Sequence, residues 1–247
     1  MPDLQDQIRD FWDRDSHTYD DSASHAVSDP LEAAAWRAAL RRALPDPGAK
    51  VLDIGAGTGA LSLLAAELGY EVTALDLSEG MLSKARAKAD ANGVELTFVV
   101  GSAAGPPSGP FDAIMERHVI WTMPDPATAL SAWRDIVVPG GRLVLFEGVW
   151  GAEAPTQKVK DAAAGVLRRV LGVEDHHHAP YPADVLAQLP LARMTSPIPL
   201  IDMVHDAGWR GLRIQRLRDV EWASMRYERW PLGWLEQRPR YALIADA

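Results

Sequence analysis

The chain has 247 residues, of which 47% are hydrophobic, and 25 Lys and Arg against 34 Asp and Glu give a formal net charge of −9. This length predicts one or two domains with a sizeable core. The acidic balance argues against nucleic acid, which requires a clustered basic face, and the absence of Cys excludes disulfides, thiolate catalysis and Cys-ligated metals.

Hydropathy and the first residues indicate the expected location. No run of about 18 apolar residues occurs, so no membrane-spanning helix is expected. Residues 1–7 are acidic and polar, whereas a signal peptide begins with basic residues and continues with an apolar stretch. We therefore expect a cytoplasmic protein that does not bind a membrane.

The N-terminal region is predicted to contain two helices separated by a loop. Apolar residues recur at helical spacing over residues 4–14. Residues 16–29 are polar and are predicted to form a loop. Residues 30–44 begin with Pro and are predicted to form the second helix, which ends at the PDPG segment that follows.

Strands and helices alternate over the next hundred residues. The predicted strands cover residues 50–54, 71–76, 95–100, 111–115 and 142–147. The predicted helices cover residues 60–68, 78–91 and 126–138. This alternation predicts βαβ units, and therefore an α/β fold with a mostly parallel sheet covered by helices on both faces.

The alternation breaks after Gly148. Residues 151–199 contain one clear helix with a shared apolar face and are predicted to form an insertion over one end of the sheet. The apolar face consists of Val159, Ala163, Val166 and Val170. The α/β pattern then resumes, with a helix over residues 200–207 and strands over residues 212–217 and 241–245.

The most informative segment is VLDIGAGTG, residues 51–59. It predicts a strand, a glycine-rich turn and the start of a helix, whose free N–H groups and positive dipole end favour an anionic group. Glycines let a ligand approach the backbone without a Cβ in the way. The spacing is G-x-G-x-G, whereas a dinucleotide site has its third glycine one residue later.

Two acids near this turn indicate the chemistry of the ligand. Asp53 directly precedes the glycines, where a carboxylate would repel phosphates but suit an ammonium group. Asp76 ends the second strand, where an acid can accept hydrogen bonds from both ribose hydroxyls of a nucleoside. A phosphate-free nucleoside with an ammonium and a carboxylate describes S-adenosylmethionine. The alternatives are a plain turn or dinucleotide site at residues 55–59, and a helix-capping role for Asp76.

Four segments together carry a family resemblance: VLDIGAGTG at residues 51–59, LDLSEGML at 75–82, FDA at 111–113 and VPGGRL at 138–143. With them the chain resembles the class I S-adenosylmethionine-dependent methyltransferases. The resemblance implies a Rossmann-like sheet of seven strands whose last strand runs antiparallel. It also implies S-adenosylmethionine as the methyl donor.

The resemblance further implies which residues contact the donor. It assigns Asp76 to the ribose, and Leu77 and Met81 to the adenine. It assigns the methionine part of the donor to Asp53 and the turn, which consists of Gly55, Ala56, Gly57, Thr58 and Gly59. Many members have an acid after the third strand that accepts from the adenine amino group. Here Ser102 and Ala103 stand at that position, so a hydroxyl and the backbone would make a weaker contact.

Residues after the fourth strand are implied to face the reacting groups. The carbonyl of Arg117 is a candidate partner for the amino group of the donor. His118 is the candidate general base, because its reference pKa is near 6.5; the alternative is a surface or capping histidine. Tyr19 is predicted to lie near the sulfonium in an N-terminal lid, where an aromatic face attracts a cation; the alternative is plain core.

Three consecutive histidines occur at His176, His177 and His178, beside Glu174 and Asp175. They are consistent with a metal site, an acceptor contact or a solvated loop. Because consecutive side chains diverge and known metal motifs use spaced ligands, no metal site is predicted.

We therefore expect one methyltransferase domain over residues 1–247. Its parts would be N-terminal helices and a lid (1–47), a donor-binding core (48–150), a helical cap (151–199) and a C-terminal part that completes the sheet (200–247).

The predicted function is in-line transfer of a methyl group from S-adenosylmethionine to oxygen or nitrogen of a small organic metabolite. The Arg- and Ala-rich, Lys-poor composition favours secondary metabolism. The expected partner is the small-molecule acceptor, without nucleic acid or membrane, and a homodimer is left open. The alternatives are an NAD-dependent oxidoreductase, which would share the sheet, and a non-catalytic protein that binds S-adenosylmethionine.

Overall fold

The computed structural model describes residues 4–21, 23–149, 155–172, 181–226 and 230–247. The strands in these residues are β1 (Lys50–Ile54), β2 (Glu71–Asp76), β3 (Thr97–Val100), β4 (Phe111–Arg117), β5 (Val137–Gly148), β6 (Arg210–Arg216) and β7 (Arg240–Asp246). The α-helices are α1 (Leu4–Asp15), α2 (Ala23–Ala26), α3 (Pro30–Ala43), α4 (Ala60–Glu67), α5 (Glu79–Asn92), α6 (Pro126–Asp135), α7 (Pro155–Leu171), α8 (Ala183–Leu186), α9 (Ile198–Asp206), α10 (Arg218–Ser224) and α11 (Leu232–Glu236).

The strands form one sheet in the order β3-β2-β1-β4-β5-β7-β6. Strands β1 to β5 pair in parallel, and β7 runs antiparallel to both β5 and β6. The predicted Rossmann-like sheet with an antiparallel last strand is confirmed. The strand order reverses between β1 and β4, and ligands of open α/β sheets bind at the carboxyl ends of the strands at such a switch point.

Helices cover both faces of the sheet. Side chains of successive strand residues point to opposite sides, so each apolar strand contributes to both faces, and each face packs against helices. On one face, Val51 and Ala113 belong to a buried cluster formed with residues of α3, α4 and α10. On the other face, Leu52 and Ile114 belong to a second cluster formed with residues of α6 and α9. Both faces are therefore covered, as the alternation of strands and helices predicted.

Most predicted elements agree with the structure within two residues, but the entry into β5 differs. Helix α6 ends at Asp135 rather than at residue 138, and β5 begins at Val137 rather than at Arg142. The reason is that Val137 pairs with Phe111 on β4, and the register then shifts before Ala113. The Pro-Gly-Gly segment thus interrupts the pairing without ending the strand.

The predicted loop over residues 16–29 is also wrong in detail. A 3-10 turn occupies Tyr19–Asp21, and α2 follows it. Helices α10 and α11 were not predicted either. Both are short, so the periodic pattern on which a helix prediction rests is incomplete.

Helix α7 confirms the helix predicted in the cap insertion, although its shared apolar face lies in solvent. Val159, Val166 and Val170 are 69%, 62% and 75% exposed. The helix is held instead through polar contacts with α11 and its surroundings, including two 2.6 Å hydrogen bonds from the Arg168 guanidinium to Glu236. Among the described residues, no helix is both long and apolar enough to cross a membrane.

Candidate active site

The glycine-rich turn follows β1 at the switch point of the sheet. Gly55 has φ +64°, and a Cβ there would lie 2.2 Å from Cγ2 of Val119, so this position admits only glycine. Gly57 has φ +55°, and the nearest atom to a Cβ there is Cε1 of Tyr19 at 4.0 Å. The Cα of Gly57 therefore faces open space between the turn and the N-terminal segment.

Asp53 lies in β1 beneath this turn and is only 2% exposed. Its Oδ2 atom accepts a 2.5 Å hydrogen bond from the hydroxyl of Ser62 on α4. Burial raises the pKa of Asp53 to about 7, although the Ser62 hydroxyl and the charge of Arg117 oppose the shift. A cation bound beside this carboxyl would therefore favour its ionised form.

Asp76 connects the end of β2 to the glycine-rich turn. Its Oδ2 atom accepts a 2.8 Å hydrogen bond from the backbone N–H of Gly57, and Oδ1 accepts a 2.9 Å bond from the N–H of Ser78. Burial raises the pKa of Asp76 to about 6 against these two bonds. Asp76 also contributes to the start of α5, because it accepts a hydrogen bond from the N-cap residue Ser78. This agrees in part with the alternative that Asp76 is a helix-capping residue.

The N-terminal segment lies across the turn. The ring of Tyr19 stacks on His25 with centroids 4.2 Å apart and meets the edge of Trp12 at 5.9 Å. The neighbouring Asp20 accepts a 2.7 Å hydrogen bond from the hydroxyl of Thr58, and its other oxygen lies 2.7 Å from Nζ of Lys88 on α5. Asp20 therefore ties the segment to both sides of the site, a role that sequence analysis missed.

Arg117 ends β4 and contributes its side chain as well as its backbone. Its guanidinium donates a 2.9 Å hydrogen bond to the carbonyl of His25 and lies 5.5 Å from the ring centroid of Trp36. Sequence analysis considered only the carbonyl of Arg117. The charged side chain at the carboxyl end of a central strand was the signal that could have identified it.

His118 adopts φ +63°, a conformation uncommon outside glycine, at the sharp turn after β4. Its Nδ1 atom lies 3.3 Å from Oε2 of Glu147 at the end of β5. Burial lowers the pKa of His118 well below its usual value, and the charges of Arg240, Arg117 and His25 lower it further. The imidazole is therefore neutral at pH 7, so one of its two ring nitrogens carries no proton.

A cleft brings together seven of the predicted site residues. It encloses about 310 Å³ of space, part of which is open to solvent. The residues that line it are Tyr19, Asp53, Gly55, Ala56, Gly57, Thr58, Ala60, Leu61 and Arg117. Gly59 directly precedes α4. Asp76 accepts a hydrogen bond from Gly57 of the lining, and His118 follows Arg117 of the lining in the sequence.

The residues predicted for the adenine lie along α5 and after β3. Met81 is 2% exposed, and Leu77 packs against a hydrophobic cluster whose buried members come from α1 and residues 181–189. The Ser102 hydroxyl accepts a 3.2 Å hydrogen bond from the N–H of Ala104. The carbonyl of Ala103 accepts a 2.7 Å bond from the indole of Trp133. The Ser102 and Ala103 acceptors are thus already engaged in hydrogen bonds within the protein.

A search of the described residues for clusters of three or more potential metal ligands finds none. His176, His177 and His178 lie outside the described residues.

The fold and the glycine-rich turn define a Rossmann-like methyltransferase domain, and comparisons with known proteins agree. The family described as "Methyltransferase domain" matches residues 52–145. A ubiquinone biosynthesis O-methyltransferase of Xanthomonas campestris is 30% identical over 189 residues, which cover 74% of this chain and 75% of that protein. The chain belongs to the class I S-adenosylmethionine-dependent methyltransferases.

Other relatives differ in name and in the length shared. The enzyme of the same name from Xanthomonas axonopodis is 32% identical over 59% of this chain and 62% of its own length. A ribosomal protein L11 methyltransferase of Thermus thermophilus is 38% identical over 51% of this chain and 47% of its own. The solved phosphoethanolamine N-methyltransferase 2 of Haemonchus contortus has a TM-score of 0.66 at 16% identity, covering 100% of this chain and 60% of that one.

The residues of the cleft fit the donor of this family. Asp53 and Arg117 place an anionic and a cationic side chain in one cleft, which matches the ammonium and carboxylate of an amino acid. Gly57 leaves space beside the turn that a Cβ would partly fill, so its missing side chain allows a ligand to approach the backbone. S-Adenosylmethionine is thus the group that this cleft is suited to hold.

Proposed function

We propose that this chain transfers the methyl group of S-adenosylmethionine to an oxygen or nitrogen of a small organic acceptor. The observation that carries the proposal is the cleft at the switch point, in which Asp53 and Arg117 face the same space as the open Gly57. When bound, the donor supplies a methyl group on a sulfonium, which is already an activated leaving group.

The chain itself would contribute binding, alignment and exclusion of water. Asp53 and the turn would hold the amino-acid part of the donor, and Asp76 the ribose. Tyr19 would cover the turn and present its aromatic face to a cation. Because the leaving group needs no activation, alignment and desolvation can supply much of the rate enhancement.

A base is needed where the acceptor must lose a proton, and His118 is the proposed base. Its imidazole follows Arg117 of the cleft and is neutral at pH 7, since burial and neighbouring cations lower its pKa. The names of two relatives, ubiquinone biosynthesis O-methyltransferases, support an organic hydroxyl as the acceptor group. The Arg- and Ala-rich composition supports a place in secondary metabolism.

Calorimetry with S-adenosylhomocysteine and with NAD, followed by a labelled-methyl screen of candidate metabolites, tests the proposal. We expect S-adenosylhomocysteine to bind and NAD not to bind. Binding of NAD alone would favour the oxidoreductase. Binding of S-adenosylhomocysteine without turnover on any metabolite would favour a non-catalytic binding protein, and turnover on a protein substrate would contradict the acceptor class.

A further inference from the structure

A buried polar cluster lies at the carboxyl ends of β4 and β5. It contains Glu116, Glu147 and Tyr241, which are 0%, 1% and 4% exposed. Glu147 is the register partner of Tyr241 on β7, and Glu116 is the partner of Leu145, two residues before Glu147 on β5. The three side chains therefore share one face of the sheet.

The cluster is incompletely satisfied among the residues that the structure describes. The Oε1 atoms of both glutamates and the hydroxyl of Tyr241 have no hydrogen-bond partner there. An unsatisfied buried carboxylate is costly, and two of them side by side repel each other. The pair therefore retains a proton more strongly than two exposed glutamates would.

The two carboxyl groups differ in their hydrogen bonds. Oε2 of Glu116 accepts bonds of 2.6 and 3.3 Å from the N–H groups of Val119 and Ile120, which favour its ionised form. Oε2 of Glu147 accepts a 3.4 Å bond from the N–H of Gly148 and lies 3.3 Å from the imidazole of His118. The retained proton is therefore better placed on Glu147, since burial and then the charge of Glu116 raise the pKa of that carboxyl.

His118 is poorly placed to keep a proton as an imidazolium. Burial opposes the cation, and so do the charges of Arg240 on β7, Arg117 on β4 and His25. The imidazole nevertheless reaches outward, since its side chain is 26% exposed whereas that of Glu147 is 0% exposed. The ring thus lies between the solvent side and a buried carboxyl that holds protons well.

We propose that His118 and Glu147 form one acid–base unit in which the proton taken from the acceptor comes to rest on Glu147. The proposal rests on the proposed function and deepens it. Glu147 acts through the imidazole and is a positioning residue, since it has no access to the acceptor. The imidazole passes the proton inward and is neutral both before and after the step.

The step balances in atoms and charge. The step starts from the form of the unit in which Glu147 has released its retained proton to solvent, so Glu147 is ionised and His118 carries its proton on Nδ1. The acceptor O–H bond breaks and an Nε2–H bond forms, while the Nδ1–H bond breaks and the proton forms an O–H bond at Oε2 of Glu147. The negative charge of the carboxylate is thereby transferred to the acceptor oxygen, which attacks the donor methyl. Return of the proton to solvent resets the unit.

The tautomer of His118 in the ligand-free protein provides a test that needs no turnover. We expect ¹⁵N NMR to show a neutral ring throughout, with its proton on Nε2 at low pH and on Nδ1 at high pH. The switch marks the ionisation of Glu147. In Glu147→Gln the switch should vanish, and the ring should instead charge to an imidazolium at a pH below the usual range for histidine.

Two further variants serve as matched comparisons. Glu116→Gln keeps an oxygen for Val119 and Ile120 but removes the charge, so the switch should move to lower pH. Glu221→Gln alters another buried glutamate, which accepts hydrogen bonds from the Arg216 guanidinium and the Arg240 backbone N–H; the amide keeps an oxygen for these bonds, so the switch should stay unchanged. Melting temperatures of all variants would show that each is folded.

Turnover supplies the second readout. Glu147→Gln should lower kcat by on the order of 100-fold, the low end for a general base, and shift the acid limb of the pH profile downward. An imidazolium in the wild-type protein, or an unchanged pH profile in Glu147→Gln, would overturn the relay. A protein with the tautomer switch but no methyl transfer would instead overturn the proposed function, and with it the use of the unit on an acceptor, while the proton coupling of His118 to Glu147 would stand.

Discussion

Replacing Asp53 by Asn should stabilise the ligand-free protein while weakening donor binding. Burial raises the pKa of this carboxyl from its ordinary 3.8 to about 7. Each pKa unit corresponds to about 1.4 kcal/mol, so the ionised carboxylate costs the folded, empty protein about 4 kcal/mol above neutral pH. Asn removes that cost and can still accept the hydrogen bond from Ser62.

The sign of the pH dependence follows from the direction of the shift. The folded pKa lies above the unfolded one, so the folded state binds the proton more tightly and loses stability as pH rises from about 4 to about 7. The advantage of Asp53→Asn should therefore be largest at about pH 8 and disappear at about pH 4. Chemical denaturation at both values, with two-state behaviour checked by two probes, measures it.

Donor affinity should change in the opposite direction. An ammonium group favours ionised Asp53, so wild-type affinity for S-adenosylhomocysteine should fall about 10-fold for each pH unit below about 7 until other groups titrate. Asp53→Asn should bind weakly and lose that part of the pH dependence. A variant that is no more stable at about pH 8, or that binds with unchanged pH dependence, would refute the reasoning.

The other predictions concern the turn, its tie to the N-terminal segment and the base. Gly57→Ala should lower S-adenosylhomocysteine affinity at least 10-fold in calorimetry. Gly48→Ala is the control: this glycine also has a positive φ, +94°, and a Cβ there would have no atom within 4 Å, so the variant should bear similar backbone strain and keep its affinity. Thr58→Val removes the bond to Asp20 and should cost about 1 kcal/mol, measured by denaturation, with faster proteolysis before residue 21; unchanged proteolysis would contradict the tie. His118→Ala should lower turnover on the order of 100-fold and leave S-adenosylhomocysteine affinity within about 2-fold, and equal turnover would remove it from the mechanism.

The sequence predicted the parts of the site that depend on neighbouring residues. The strand, turn and helix of residues 51–59 follow from local rules about apolar runs, glycine and helix starts. The alternation of strands and helices predicted a mostly parallel sheet, and the family resemblance implied its seven strands and antiparallel last strand. Arg117 and His118 were identified because the family resemblance places the residues after the predicted fourth strand near the reacting groups.

The missed contacts join residues that are distant in the chain. Glu147 was predicted only as the last residue of a strand, and its pairing with His118 depends on the register of β4 against β5. The link from Asp20 to Thr58 depends on how the N-terminal segment lies over the turn. The exposed valines of α7 show the same limit, because helical spacing gives a face but does not say what it contacts.

The position of β7 between β5 and β6 has a consequence for synthesis of the chain. On the ribosome, the residues that line the donor cleft, from Tyr19 to Arg117, are all synthesised before residues 240–246 emerge. Until then, β5 has an unpaired edge and Glu147 lacks Tyr241 beside it, so water can reach the carboxyl and keep it ionised. Docking of β7 closes the edge and buries the acid in one event, so the proton-holding carboxyl cannot be completed until the last strand of the chain has been made.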